Sequence, residues 1–252
     1  MFLHFYDLCD MNLLVDVGNT AVKLALFDKG DLISDDSISA NFFLEKIKTI
    51  FQLYPKVNWV IVSSVGNLGE KELEFLKTFC NVHVLSDVSK IPFKNLYATP
   101  KSLGVDRIAL ASAAFFYKPN SNVLVIDAGT CITYDFINAN GEYLGGAISP
   151  GVEMRYKALH QNTSKLPLLQ KTEPLNSIGD STEMCIHSGV VNGTCAEIDG
   201  VIGDYLSRFA DLTVILTGGD AQFLSKRLKN TIFANSKFLL KGLNYLLEYN
   251  KH

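Results

Sequence analysis

Two short stretches of this chain share one plan. Asp16-Val17-Gly18-Asn19-Thr20 and Asp127-Ala128-Gly129-Thr130 each place an aspartate at the end of an apolar, β-branched run, with a glycine two residues later. The runs at 12–17 and 21–27, and again at 122–127 and 131–137, predict two strand–turn–strand hairpins. The segments after the two hairpins also match. Third strands are expected near 31–39 and 142–149. A helix is expected over 41–54, where Phe43, Ile47, Ile50, Phe51 and Tyr54 recur at helical spacing, and further helices start from 151 and 181. Strands at 57–63, 81–85 and 212–217 alternate with helices over 70–79, 105–117 and near 220–229 and 239–249. Each half therefore reads strand, strand, strand, helix, strand, helix. That order predicts an α/β protein made by a long-period duplication, with halves 11–117 and 118–252 behind an extension over 1–10. Met11 offers an alternative start.

The composition excludes several classes. With 252 residues and 48% hydrophobic content the chain can bury a large core or two modest ones. A formal net charge of -3 gives no electrostatic case for nucleic acid or an anionic membrane. No apolar run approaches the roughly 20 residues of a membrane helix. The segment before Met11 lacks a basic leader and carries Asp7 and Asp10, which argues against a secretory signal. Five scattered cysteines without a C-x-x-C pair read as reduced thiols, so a cytoplasmic location is expected.

Taken singly, either hairpin is an ordinary tight turn, where Asp, Gly, Asn and Thr are all common. A phosphate loop needs backbone N–H groups converging on one concavity, and glycine lets the chain come that close. An aspartate beside such a loop can hold a cation against phosphate oxygens. Lys23 adds positive charge, or is simply solvated. The Walker, Rossmann, nucleophile-elbow and zincin motifs are absent, so these hairpins are the candidates for any nucleotide. A third glycine-rich strand end, Thr217-Gly218-Gly219-Asp220, completes a layout that resembles the actin-like (ribonuclease H-like) ATPase fold of sugar kinases and Hsp70. That resemblance implies two duplicated domains, each a mixed five-stranded-type sheet flanked by helices.

Four further stretches narrow the reading. Tyr97 precedes Gly104-Val105-Asp106-Arg107 at a helix start; the second hairpin continues as Cys131-Ile132-Thr133-Tyr134-Asp135. Gly145-Gly146-Ala147-Ile148-Ser149-Pro150-Gly151 leads to Leu159 and Leu166-Pro167, and Gly179-Asp180-Ser181-Thr182 precedes His187-Ser188-Gly189. In this order and spacing the chain resembles type III pantothenate kinase, the bacterial enzyme of coenzyme A synthesis. Cys131-Ile132 and Asp180-Ser181 depart from the residues common there.

The resemblance implies roles. Asp16, Val17, Gly18, Asn19, Thr20, Ala21, Val22 and Lys23 would form the first ATP-phosphate loop, with Asp16 near Mg²⁺. Gly104, Val105, Asp106 and Arg107 would hold pantothenate, with Asp106 as the base on its primary hydroxyl. Tyr97 and Thr182 match substrate-contacting positions, Thr130 a position that touches ATP, and Asp127 the site of a monovalent cation, K⁺ or NH₄⁺. The family implies a homodimer whose substrate site draws on both subunits. Physical chemistry supports the outline, since phosphoryl transfer needs positioning, charge neutralisation and a proton acceptor. A first-turn aspartate is suited to the last role, and Arg107 to a carboxylate or phosphate oxygen. Alone, G-x-D-R would read as a helix-start acid followed by a surface arginine.

Two rivals share these features: another small-molecule kinase of the fold, and a non-catalytic regulator like the Bvg accessory factor. Retention of Asp16, Asp106 and Asp127 argues against the second. Elsewhere the residues have bland readings. His187 is expected to pack or face solvent, Cys131 to be a small core residue, and Glu183 and Glu197 to be helix surface charges, with a site role for either as the alternative. Phe115, Phe116 and Tyr117 are expected to pack between helix and sheet or at a dimer seam.

Overall fold

A computed structural model describes residues 11–18, 21–64, 69–174 and 176–251. The extension over 1–10 lies outside them. The apolar run Met11–Val17 forms β1, returns as Val22–Asp28 (β2), and continues into Asp31–Ile38 (β3). Then come α1 (Phe43–Leu53), β4 (Val57–Ser64), α2 (Glu70–Lys77) and β5 (Asn81–Val84). A two-residue strand β6 (Lys94–Asn95) precedes α3 (Val105–Tyr117). The second hairpin is β7 (Val123–Ala128) and β8 (Cys131–Ile137), followed by β9 (Glu142–Pro150) and α4 (Val152–Gln161). Helix α5 (Thr182–His187) runs through a π turn, Ser188–Asn192, into α6 (Gly193–Arg208). The chain closes with β10 (Thr213–Thr217), α7 (Ala221–Ser225), β11 (Phe233–Ala234) and α8 (Phe238–Asn250).

The two sheets repeat one topology. The first has the order β3-β2-β1-β4-β5; the second runs β9-β8-β7-β10-β11 with β6 added beside β9. In each, the first three strands form an antiparallel meander; a fourth pairs parallel to the first of them, and a fifth pairs parallel to the fourth. This is the duplication expected from the paired hairpins, now visible as matching strand orders. The structure also departs from the sequence reading. Strands β6 and β11 are too short to leave a periodic signal, and the helix expected near 220–229 is only Ala221–Ser225.

Two compact units emerge from the packing: residues through Pro92 with 98–116 and 239 onwards, and 93–97 with 117–238. They differ from the sequence-based halves 11–117 and 118–252 in two places. The β6 segment joins the second unit through its parallel pairing with β9, and α8 joins the first. Asn12, buried in β1, donates from Nδ2 to Asn244 Oδ1 (2.7 Å) and Glu248 Oε1 (2.6 Å) on α8. A Cβ at Gly242 would lie 2.0 Å from the Ala109 carbonyl oxygen, so α8 crosses the alanine-rich α3 with backbones in contact.

Each unit has its own core. In the first, Leu13, Val15 and Leu24 pack against Phe43, Ile47 and Ile50 of α1; in the second, Leu124, Ile126 and Leu216 pack against Ile198 and Ile202 of α6. Each fully buried aliphatic side chain contributes about 1.5–3 kcal/mol. A central strand is covered on both faces, and β1 shows it: Asn12 to Val17 are all buried. That is what carries an aspartate at its end out of water.

Candidate active site

Strand pairing defines the surroundings of Asp16. It lies opposite Lys23 in the antiparallel register and beside Ser63 of β4 in the parallel one. Lys23 Nζ stands 3.8 Å from the Asp16 carboxylate, with its side chain 56% exposed, whereas Asp16 is only 7% exposed. Burial pushes the Asp16 carboxyl above its ordinary range; the Lys23 charge pulls it back, the Asp106 charge adds to the rise, and the Ser63 hydroxyl lowers it. The fully buried Ser63 hydroxyl achieves this from outside strict hydrogen-bond geometry, among the described residues. Val17 and Val22 pair at the buried neck of the hairpin, and the Gly18 N–H donates to the Ala21 carbonyl at 3.1 Å. Asn19 and Thr20 lie outside the described residues.

The start of α3 supplies the second carboxylate of this unit. The turn Pro100–Ser102 delivers the chain to Gly104, and Asp106 falls in the first helical turn. Asp106 Oδ1 accepts from the Arg107 backbone N–H at 2.8 Å. A Cβ at Gly104 would sit 2.4 Å from that oxygen, so the glycine lets the carboxylate fold back over the helix start. Val105 is half-buried and Arg107 is buried, 6% exposed. The surface-arginine reading of G-x-D-R is therefore wrong, because a guanidinium is not buried without partners.

The second unit holds the second hairpin. Asp127, at the end of β7, pairs with Thr133 of β8 and Thr217 of β10. Gly218 adopts φ +93°, and a Cβ there would lie 2.3 Å from Asp127 Oδ1 and 2.4 Å from the Ala128 carbonyl oxygen. The glycine-rich strand end thus presses against this carboxylate. Beyond it the Asp220 N–H donates to Ala128 O (2.9 Å), and Lys171 forms an ion pair with the Asp220 carboxylate. Thr130 is exposed, and its carbonyl accepts from the Gly151 N–H at 3.1 Å. Cys131 is half-buried at the strand start, not the core residue expected.

Tyr97 is assigned to the second unit and Gly104–Arg107 to the first. Its ring lies against Gly145, φ +95°, where a Cβ would come within 3.0 Å of Tyr97 Cδ2. Thr182 is exposed at the start of α5, after Ser181, whose hydroxyl caps the helix by accepting from Met184 N. It borders an open groove of about 1060 Å³ with Arg155, Leu159, Leu166 and Ile186; Asp127 and Thr130 do not line that groove. The structure therefore brings Asp16, Lys23 and Asp106 together in one unit, and Asp127, Gly218 and Asp220 in the other, with Thr182 on a separate wall.

Sequence reasoning missed Ser63, which only strand register places beside Asp16, and the Lys171–Asp220 pair, 49 residues apart. It also misread Glu197. This residue accepts from Arg155 (2.6 Å) and the Tyr134 hydroxyl (3.2 Å), so it is part of a side-chain network. His187 is packed, its Nδ1 bonded to the Tyr156 hydroxyl at 2.8 Å.

Comparison with known proteins decides the family. A sequence profile described as type III pantothenate kinase matches residues 12–204. The chain belongs to the type III pantothenate kinase family. A relative of that name from Flavobacterium johnsoniae is 50% identical over 95% of this chain and 98% of its own. One from Christiangramia forsetii is 49% identical, covering 96% and 99%. Among solved structures, one described as a Baf family transcriptional activator from Campylobacter jejuni aligns with a TM-score of 0.63 at 24% identity, covering 94% of this chain and 98% of that one. A glucokinase from an Antarctic psychrotroph aligns at 0.55 and 14% identity, covering 95% and 99%. These two likenesses show the fold alone, the actin-like architecture that the family shares with sugar kinases. Among the described residues no helix is long and apolar enough to cross a membrane.

Proposed function

We propose that this chain transfers the γ-phosphoryl group of ATP to the primary hydroxyl of pantothenate, giving 4′-phosphopantothenate and ADP, the first step of coenzyme A synthesis. The observation that carries the reading is a buried, strand-end Asp16 in the same compact unit as Asp106 at a helix start, whose charge adds to the rise of the Asp16 carboxyl. One carboxylate would serve the phosphates and the other the acceptor.

In this reading Asp106 accepts the hydroxyl proton as the new O–P bond forms and the bond to the ADP leaving oxygen breaks. Its carboxylate is already oriented by the Arg107 N–H, which fixes where the proton is received. Gly104 and Val105 set the approach to Asp106; Arg107 pairs with an anionic oxygen of substrate. Val17, Gly18, Asn19, Thr20, Ala21, Val22 and Lys23 would bind the ATP phosphates, and Thr130 would touch ATP.

Both proposed metal positions suit hard cations. Asp16 offers a carboxylate whose burial and like-charged neighbour disfavour it bare, so Mg²⁺ would relieve both while neutralising phosphate charge. Asp127 sits in a glycine cradle lined by carboxylate and carbonyl oxygen, a donor set appropriate to K⁺ or NH₄⁺. Tyr97 and Thr182 would contact pantothenate. A cytoplasmic homodimer whose substrate site draws on both subunits belongs to the same reading.

The rival is a kinase of the same fold with another acceptor. ADP release measured with pantothenate against a panel of sugars and short acids separates the two. Asp106→Asn is expected to lower turnover by about 10²–10⁴-fold while keeping ATP binding. Full activity in that variant removes Asp106 as the base, and ADP release with a sugar but not with pantothenate removes the substrate.

A further inference from the structure

Arg155 and Glu197 have no part in the proposed phosphoryl transfer, yet they join the elements behind the second hairpin. The Arg155 side chain donates from Nε to the Pro150 carbonyl (2.9 Å) and from its terminal nitrogen to Glu197 Oε2 (2.6 Å). Glu197, on α6, also accepts from the Tyr134 hydroxyl on β8 at 3.2 Å. Burial works against the Glu197 charge, but the Ser149 hydroxyl, buried and outside strict hydrogen-bond geometry, and the Arg155 guanidinium outweigh it and hold the carboxyl below its ordinary range. One carboxylate thus ties together β8, α6 and the end of β9.

The clamp acts next to the hairpin turn. Pro150 is the register partner of Cys131, the first residue after that turn. The Gly151 N–H binds the Thr130 carbonyl, and a Cβ at Gly151 would lie 2.1 Å from the Gly129 oxygen and 2.5 Å from the Thr130 oxygen. Gly129 and Thr130 therefore rest directly on Gly151, the residue after Pro150. A guanidinium fork holding both Pro150 and a second helix fixes that support.

We propose that Arg155 and Glu197 are positioning residues for ATP, holding the Gly129-Thr130 turn in its binding geometry through Pro150 and Gly151. The proposal rests on the reading of this hairpin as a phosphate loop. It concerns affinity for nucleotide and not the acceptor, because Glu197 and Tyr134 do not line the groove that carries Thr182. Arg155 does border that groove, so the acceptor readout belongs on Glu197.

The test is the Kd for MgATP by calorimetry without pantothenate, together with separate KM values for both substrates. Glu197→Gln and Arg155→Gln should each weaken MgATP about 5- to 10-fold, and the double variant no further, because breaking one bond already releases the clamp. The KM for pantothenate of Glu197→Gln should stay within about two-fold, since remote support of one site leaves the other's contacts intact. If Glu197→Gln proves poorly folded by circular dichroism, Tyr134→Phe removes a single hydroxyl and should weaken MgATP about two-fold, the scale of one partly exposed hydrogen bond. Unchanged MgATP affinity in these variants overturns the proposal, as does an equal rise in both KM values. Thr130→Val separates the clamp from the loop it supports. If it weakens MgATP while Glu197→Gln does not, only the clamp fails; if neither does, the phosphate-loop reading fails and takes the clamp with it.

Discussion

Replacing Asp16 by asparagine should make the nucleotide-free protein more stable at neutral pH while abolishing its use of MgATP. The carboxylate is 7% exposed and its pKa is raised, first by burial and further by the Asp106 charge. Its opposing partner is weak: Lys23 stands at 3.8 Å with its side chain 56% exposed, a geometry worth less than about 1 kcal/mol. Asparagine keeps the shape and a polar atom near Ser63, but removes the charge. The expected gain is about 1 kcal/mol, within the range of single stabilising changes at functional sites, or roughly 2–4 °C in Tm for a chain of this size. The pH dependence gives the sign. With the folded-state pKa above the ordinary 3.8, the native state holds this proton more tightly than the unfolded chain. Its contribution is fully present below the unfolded pKa and is lost as pH rises through the folded one. Urea unfolding of both proteins at pH 7.5 and pH 4.5 measures this, and the mutant's advantage should shrink at the lower pH. A mutant less stable than wild type at pH 7.5 would refute the reasoning, because Lys23 and Ser63 would then outweigh burial.

Two further substitutions probe close backbone contacts. Gly242→Ala places a methyl 2.0 Å from the Ala109 carbonyl oxygen, so α8 must shift; a loss of about 1–3 kcal/mol should appear in chemical unfolding. Gly218→Ala combines φ +93° with a Cβ 2.3 Å from Asp127 Oδ1, displacing the carboxylate proposed to hold the monovalent cation. Its KM for ATP should rise about ten-fold, and the difference between potassium and sodium buffers, measured without ammonium, should flatten. A variant that keeps the wild-type response to potassium would remove Asp127 from that role.

Local chemistry made much of this protein legible. The paired Asp-x-Gly turns between β-branched runs announce hairpins without help from the rest of the chain, and α3 shows as an alanine-rich helix ended before Pro119. The order of elements after each hairpin exposes the duplication, and the motif set exposes the family. Short elements such as β6 and β11 were hidden because two residues have no periodicity; they exist as strands only through their partners.

What the sequence determined by itself is which residues are available for chemistry: an aspartate at each hairpin, one at a helix start, and glycines where backbone must come close. Tertiary structure decided how those residues behave. Whether Asp16 is a solvated turn acid or a buried, raised carboxylate depends on β1 being covered on both faces and on the register that sets Lys23 and Ser63 beside it. Whether α8 belongs to the C-terminal half depends on Asn12 reaching Asn244 across 232 positions, and Glu197 changes from a surface charge to a clamp only when Arg155 and Tyr134 arrive from other elements. The reason is common to all three. Burial and hydrogen-bond partnership are properties of neighbours in space, and the chain order that encodes the elements does not name those neighbours until the sheets have formed.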